Sequence, residues 1–96
     1  MQKVSIIIPN YNGQELIGEN LPSILKAKDY ERNKIIEIIV IDDASNDQSV
    51  KLLTTEFKDV RLIKHKINRG FSATVNTGVR MAKGNLVCLL NTDVKV

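Results

Sequence analysis

A chain of 96 residues, 43% hydrophobic and 4% aromatic, is long enough for one domain with a buried core and too short for two. Its 14 basic and 11 acidic residues, a net of +3, are scattered along the sequence, so the one-sided basic surface of a nucleic-acid binder is not expected. Twelve Ile, nine Val and nine Leu, against two Phe, two Tyr and no Trp, make the core aliphatic and favour strands buried on both faces.

The first strand is predicted over 4–8, a β-branched run stopped by Pro9, with Asn10-Tyr11-Asn12-Gly13 as the following turn. Ile17, Leu21, Ile24 and Leu25 share one helical face, with a kink or restart expected at Pro22. Polar residues 28–34 make a loop, and a second strand runs over 35–41 to Asp42-Asp43. Ser45 and Gln48 have capping-box spacing ahead of a helix striped by Val50, Leu53 and Phe57. A third strand is predicted over 60–64. Asn68-Arg69-Gly70 is a turn, Ser72 a cap, and Val75, Val79 and Ala82 the stripe of a third helix, which Gly84 terminates. Residues 85–90 form the fourth strand. Cys88 lies inside that strand and is expected to be buried and inert. Lys64, His65, Lys66 and Arg69 read as a solvated loop, and Phe71 and Met81 as packing residues.

The order is β-α-β-α-β-α-β, which specifies an α/β fold: a Rossmann-like parallel sheet of four strands with right-handed crossovers. No apolar stretch approaches the roughly 20 residues needed to span a bilayer, and the N-terminal run is too short for a signal peptide. A cytoplasmic setting is expected.

Ligands of open parallel sheets bind beyond the carboxyl ends of the strands. Those ends deliver Pro9, Asn10, Tyr11 and Asn12 from the first strand, Asp42 and Asp43 from the second, and Asn91, Thr92 and Asp93 from the fourth. Neither the dinucleotide glycine motif nor a P-loop is present. Asp93 would repel a bare phosphate, so it reads as a contact to a divalent cation bridging to a diphosphate. Asp43 suits the imide N–H of a uracil or thymine ring, against which Tyr11 could stack. Helix capping and turn formation are the competing structural roles for these acids.

The segments VSIIIPNYN (4–12) and IVIDDAS (39–45) resemble the opening blocks of family 2 glycosyltransferases. NRGFSATVNTGV (68–79) and LLNTDV (89–94) resemble that family's later donor-site motifs. Four blocks in the family's order cover nearly the whole chain. The resemblance implies the GT-A fold, with this chain as its nucleotide-binding half. It also implies transfer of a sugar, with inversion, from a nucleoside-diphosphate donor (UDP or dTDP type) to a saccharide or lipid-linked acceptor hydroxyl, using Mg or Mn. By the same resemblance Pro9, Tyr11 and Asn12 line the base and ribose, and Asp43 reads the pyrimidine N–H. Asp93 ends the DxD-type motif beside the metal, and Asn76 is a donor-side helix position. The motif's first acid is replaced here by Asn91, as in rhamnosyltransferase-like members; its amide oxygen can still face a metal or water. Val94 follows where many members carry another acid, and Thr74 and Val75 stand where many place an Arg.

The family's general base lies well beyond this motif, and the sequence ends three residues after Asp93. The expectation is a donor-binding half, truncated from a larger enzyme and inactive alone, whose apolar fourth strand promotes self-association. A non-catalytic nucleotide-sugar-binding module is the alternative. A receiver-type signalling domain fits poorly, because its acidic pair follows the first strand. A nucleotidyltransferase would carry a Gly-rich basic loop there.

Overall fold

The β-branched runs become strands, and the striped segments become helices that cover them. The computed structural model describes residues 2–91. In chain order the elements are β1 (Val4–Asn10), α1 (Gln14–Asp29), a 3-10 turn (Glu31–Asn33), β2 (Ile35–Asp42), α2 (Ser49–Glu56), β3 (Arg61–Lys64), α3 (Phe71–Met81) and β4 (Leu86–Leu89). All pairings are parallel, in the order β3-β2-β1-β4. The chain therefore winds outward from β1 to β3, then crosses back to place β4 on the far side of β1. That reversal is the topological switch point.

Strand alternation divides the core between two faces. Ile6, Ile8, Ile38 and Val40 pack with Ile17 and Leu21 of α1 and Leu53 of α2. Ile7, Ile39 and Ile41 face the other way, against Val75 and Ala82 beside α3. Continuous apolar sequence in β1 and β2 is thus explained by helices on both sides.

β1 runs through Pro9 rather than stopping before it. Asp43 N donates to Asn10 O on one side of β1, and Leu90 N donates to Ile7 O on the other. The alternation turns the Pro9 nitrogen toward β4, whose register with β1 ends at Ile7–Leu89. No ladder bond is lost there. α1 is likewise one element of 16 residues, with Pro22 inside it and no restart. Pro22 and Gly18 are both exposed, so water can satisfy the Gly18 carbonyl that loses its partner.

Three predicted caps are replaced. α2 starts at Ser49, and Asp47 Oδ1 accepts from Ser49 N at 2.9 Å; Ser45 is bound elsewhere, so the Ser45–Gln48 box does not form. α3 starts at Phe71 on Gly70, whose φ of +94° suits a residue without Cβ, and Ser72 lies inside the helix. α3 ends at Met81, before Gly84. Gly84 is required for another reason: a Cβ there would stand 2.5 Å from Lys3 O and 2.8 Å from Ser5 N. The buried positions of α3 are Thr74 and Gly78, and Val79 faces solvent.

β4 departs from the expected burial. Leu86, Val87 and Leu89 are 43%, 40% and 43% exposed, and Cys88 is exposed rather than buried. Among the described residues, no helix is long and apolar enough to cross a membrane.

Candidate functional site

The carboxyl ends of β1, β2 and β4 surround a cleft of about 350 Å³ at the switch point. Pro9, Asn10 and Tyr11 come from the end of β1, Asp43 follows β2, and Asn91 follows β4. The loop before α3 and its first turns add Asn68, Gly70, Phe71 and Thr74. Tyr11 and Phe71 are 46% and 55% exposed, so two of the chain's four aromatic rings stand half open at this rim. Phe71 is therefore a cleft residue and not core packing. Its signal in the sequence was position: an aromatic ring directly after a turn glycine at a helix start.

Asp43 is the buried polar centre of the cleft. Arg69 N donates to its Oδ1 at 2.8 Å and Gly70 N to its Oδ2 at 2.9 Å, while His65 Nδ1 lies 2.8 Å from Oδ1. Burial pushes the Asp43 carboxyl up. The hydrogen bonds from His65, Arg69 N and Gly70 N, with the charge of His65, outweigh it and hold the group below the ordinary carboxylate value. A carboxylate oxygen has two lone pairs. Oδ1 accepts two bonds and Oδ2 one, which leaves one acceptor position among the described residues.

His65 is not part of a solvated loop. Its side chain is 6% exposed, whereas Lys64, Lys66 and Arg69 are open to solvent as expected. The signal was strand parity. His65 shares the parity of Ile63, which packs on the α3 side of the sheet, while Lys64 and Lys66 have the opposite one.

Asp42 is structural. It accepts from Asn10 Nδ2 at 2.8 Å, from Ser45 Oγ at 2.6 Å and from Ser45 N at 3.0 Å. Fixing the Asn10 amide this way leaves its buried Oδ1 without a partner among the described residues. Asn12 takes the left-handed conformation, φ +53°, and ties loop to loop. Its N donates to Ser45 Oγ at 2.9 Å, and its Oδ1 accepts from Asn46 N at 2.7 Å. Asn12 lines a neighbouring depression with Gln14 and Asp47. Asn76 is exposed on α3, in a third depression with Arg69 and Arg80. The structure thus gathers Pro9, Tyr11, Asp43 and Asn91 into one cleft and leaves Asn12 and Asn76 outside it. Asp93 lies outside the described residues.

With the cleft defined, likeness to known proteins becomes informative. The family model described as glycosyl transferase family 2 matches residues 5–96. The chain belongs to that family. Poly(ribitol-phosphate) beta-glucosyltransferase of Bacillus spizizenii is 33% identical to this family 2 chain over 99 residues, covering 95% of the chain and 15% of that protein. The mannosyltransferase PcManGT of Pyrobaculum calidifontis, solved with GDP-Man and Mn2+, superposes with a TM-score of 0.78 at 33% identity, over 96% of this chain and 28% of that one. TarS 1-349 of S. aureus, solved with UDP-GlcNAc, gives 0.81 at 28% identity, over 95% and 26%. This family 2 chain spans less than a third of the length of each.

Proposed function

We propose that the switch-point cleft binds the nucleotide of a nucleoside-diphosphate sugar, and that this chain supplies the donor side of an inverting transfer to an acceptor hydroxyl. The observation that carries the reading is Asp43: a buried, ionised carboxylate with an open acceptor position, in a cleft edged by Tyr11 and Phe71. An imide N–H of a flat ring supplies the missing donor, and the aromatic rims supply stacking surface. The nucleotide-sugar complexes of PcManGT and TarS support the same assignment.

Donor-set chemistry favours a hard cation. Among the described residues, no group of three His, Cys, Asp or Glu side chains could hold a metal on its own. The amide oxygen of Asn91, at the cleft, and the carboxylate of Asp93 are oxygen donors of the kind Mg and Mn accept, with substrate phosphates completing the shell. When bound, such an ion would neutralise charge on the departing diphosphate. The protein's own task is to hold the base and aim the phosphates across the end of β4.

Thermal stabilisation by UDP, dTDP and GDP, each with and without Mn, tests this reading. Ligand at one hundred times its dissociation constant should add about 2.7 kcal/mol. UDP or dTDP is expected to stabilise more than GDP, and Mn to increase the effect. Asp93→Ala should remove the Mn-dependent part and spare the rest. The absence of a shift with every combination would sink the assignment.

A further inference from the structure

We propose that His65 is a positioning residue for base recognition: it acts through Asp43, whose carboxylate it aims into the cleft, without touching the ligand itself. This rests on the donor-site reading above.

His65 follows β3, and its backbone N donates to Asp42 O at 2.8 Å, extending the β2–β3 ladder by one residue. Strand parity then turns the ring inward, beneath the cleft, where it is 6% exposed. The cleft's lining includes Asp43 but not His65. Both ring nitrogens are engaged. Nδ1 lies 2.8 Å from Asp43 Oδ1, and Nε2 lies 2.9 Å from Thr77 Oγ1 on α3. An ionised carboxylate only accepts, so Nδ1 carries a proton in this contact.

The other two donors to Asp43 are Arg69 N and Gly70 N. They belong to the loop that also lines the cleft, so they cannot hold the carboxylate independently of that loop's own placement. His65 can. It is tied to β2 through its backbone and to α3 through Thr77. Both carboxylate oxygens are then fixed, and the open lone pair of Oδ2 keeps one direction. Such fixing lowers the cost of binding, because the acceptor does not have to be ordered by the ligand.

Asparagine and glutamine separate this role from simple bridging. The amide nitrogen of Asn can take the place of Nδ1, whereas that of Gln can take the place of Nε2 and reach Thr77. His65→Asn is therefore expected to keep UDP affinity within about threefold of the native chain, and His65→Gln and His65→Ala to lose about tenfold, the worth of one charge-assisted bond. Mn with pyrophosphate, which has no base, should bind all four proteins alike. A ligand-free reading accompanies it: exchange of the Arg69 and Gly70 amide protons should stay slow in His65→Asn and accelerate in His65→Gln. Equal losses in Asn and Gln variants, or loss of pyrophosphate binding in parallel, would overturn the proposal and leave His65 a structural bridge. Failure of the native chain to bind UDP, dTDP or GDP would instead remove the donor-site reading, while amide exchange still decides whether His65 orders Asp43. If His65→Ala does not fold, the Asn and Gln pair carries the comparison.

Discussion

Three carboxylates organise this molecule side chain by side chain, and all three are held below their ordinary titration range. Burial raises each of them. Hydrogen bonds then win: His65, Arg69 N and Gly70 N at Asp43; Ser49 and Gln14 N at Asp47; Lys83 N, Ser5 and Arg61 at Glu37. A carboxylate with a depressed folded value stabilises the fold fully above its unfolded value, near 3.8 for Asp and 4.5 for Glu. That stability is lost as pH falls through the lower folded value. The urea midpoint is thus expected to be flat from about pH 7 to about pH 5 and to drop steeply below about pH 4. A midpoint independent of pH down to about 3 would show that these bonds are not maintained in solution. Asp47 serves two helices at once, accepting from Ser49 N at the start of α2 and from Gln14 N at the start of α1. Asp47→Ala should therefore cost about 2 kcal/mol at neutral pH, the upper range for one cap, and also flatten the acid limb of the profile.

At the level of elements, close approach and hydrogen bonding to neighbours decided what local pattern alone did not. Continuous aliphatic runs located the four strands and the 3.6 periodicity the three α-helices, because most of the residues that make those patterns in β1, β2, α1 and α2 are the ones that pack, whereas the 3-10 turn at Glu31–Asn33 falls in the predicted polar loop. Helix starts were misplaced for a physical reason. Ser45 had a better partner in the buried Asp42 carboxylate than in a helix N–H, and a residue 32 positions upstream of Asp42, Asn10, shares that network. Spacing along the chain carries no trace of Asn10 in that network. Gly84 was read as a helix stop for the same reason: its contact, the Lys3 carbonyl, is remote in sequence. Gly78 is equally constrained, since a Cβ there would meet Ile41 Cδ1 at 2.7 Å and Ile7 Cβ at 3.1 Å. Ile41 Cδ1 is the end of a flexible side chain and can move, whereas the Lys3 carbonyl is backbone in the sheet's own path. Gly78→Ala is expected to cost about 1–3 kcal/mol, the usual range for overpacking, and Gly84→Ala more than Gly78→Ala. Chemical denaturation of the two variants side by side gives the ranking, and the reverse order would mean that the 82–85 connection yields more easily than α3.

For the molecule as a whole, the sheet is well covered at its centre and bare along the β4 edge. β1 from Ser5 to Asn10 and β2 from Ile38 to Asp42 are buried, with helices above and below, whereas each residue of β4 is exposed. The site was legible in outline because parallel topology places ligands at strand ends, and Pro9, Tyr11, Asp43 and Asn91 do meet there. Its inner support, His65, was hidden by the lysines on either side, whose charge masks the inward parity of the residue between them. The bare flank has its own consequence. β4 lies at the end of the order β3-β2-β1-β4 and shows Leu86, Val87 and Leu89 on an unpaired edge among the described residues. Its free backbone groups and apolar side chains form a template for another strand. The 96-residue chain is therefore expected to self-associate in a concentration-dependent way, through β4 in particular. Charge on an edge opposes such pairing, so Val87→Lys should shift sedimentation velocity profiles toward the monomer while leaving the circular dichroism spectrum intact. The same substitution should also leave UDP affinity unchanged, because Val87 is not among the residues lining the cleft. A native chain that sediments as a monomer at every accessible concentration would show that the bare edge is protected by its own geometry.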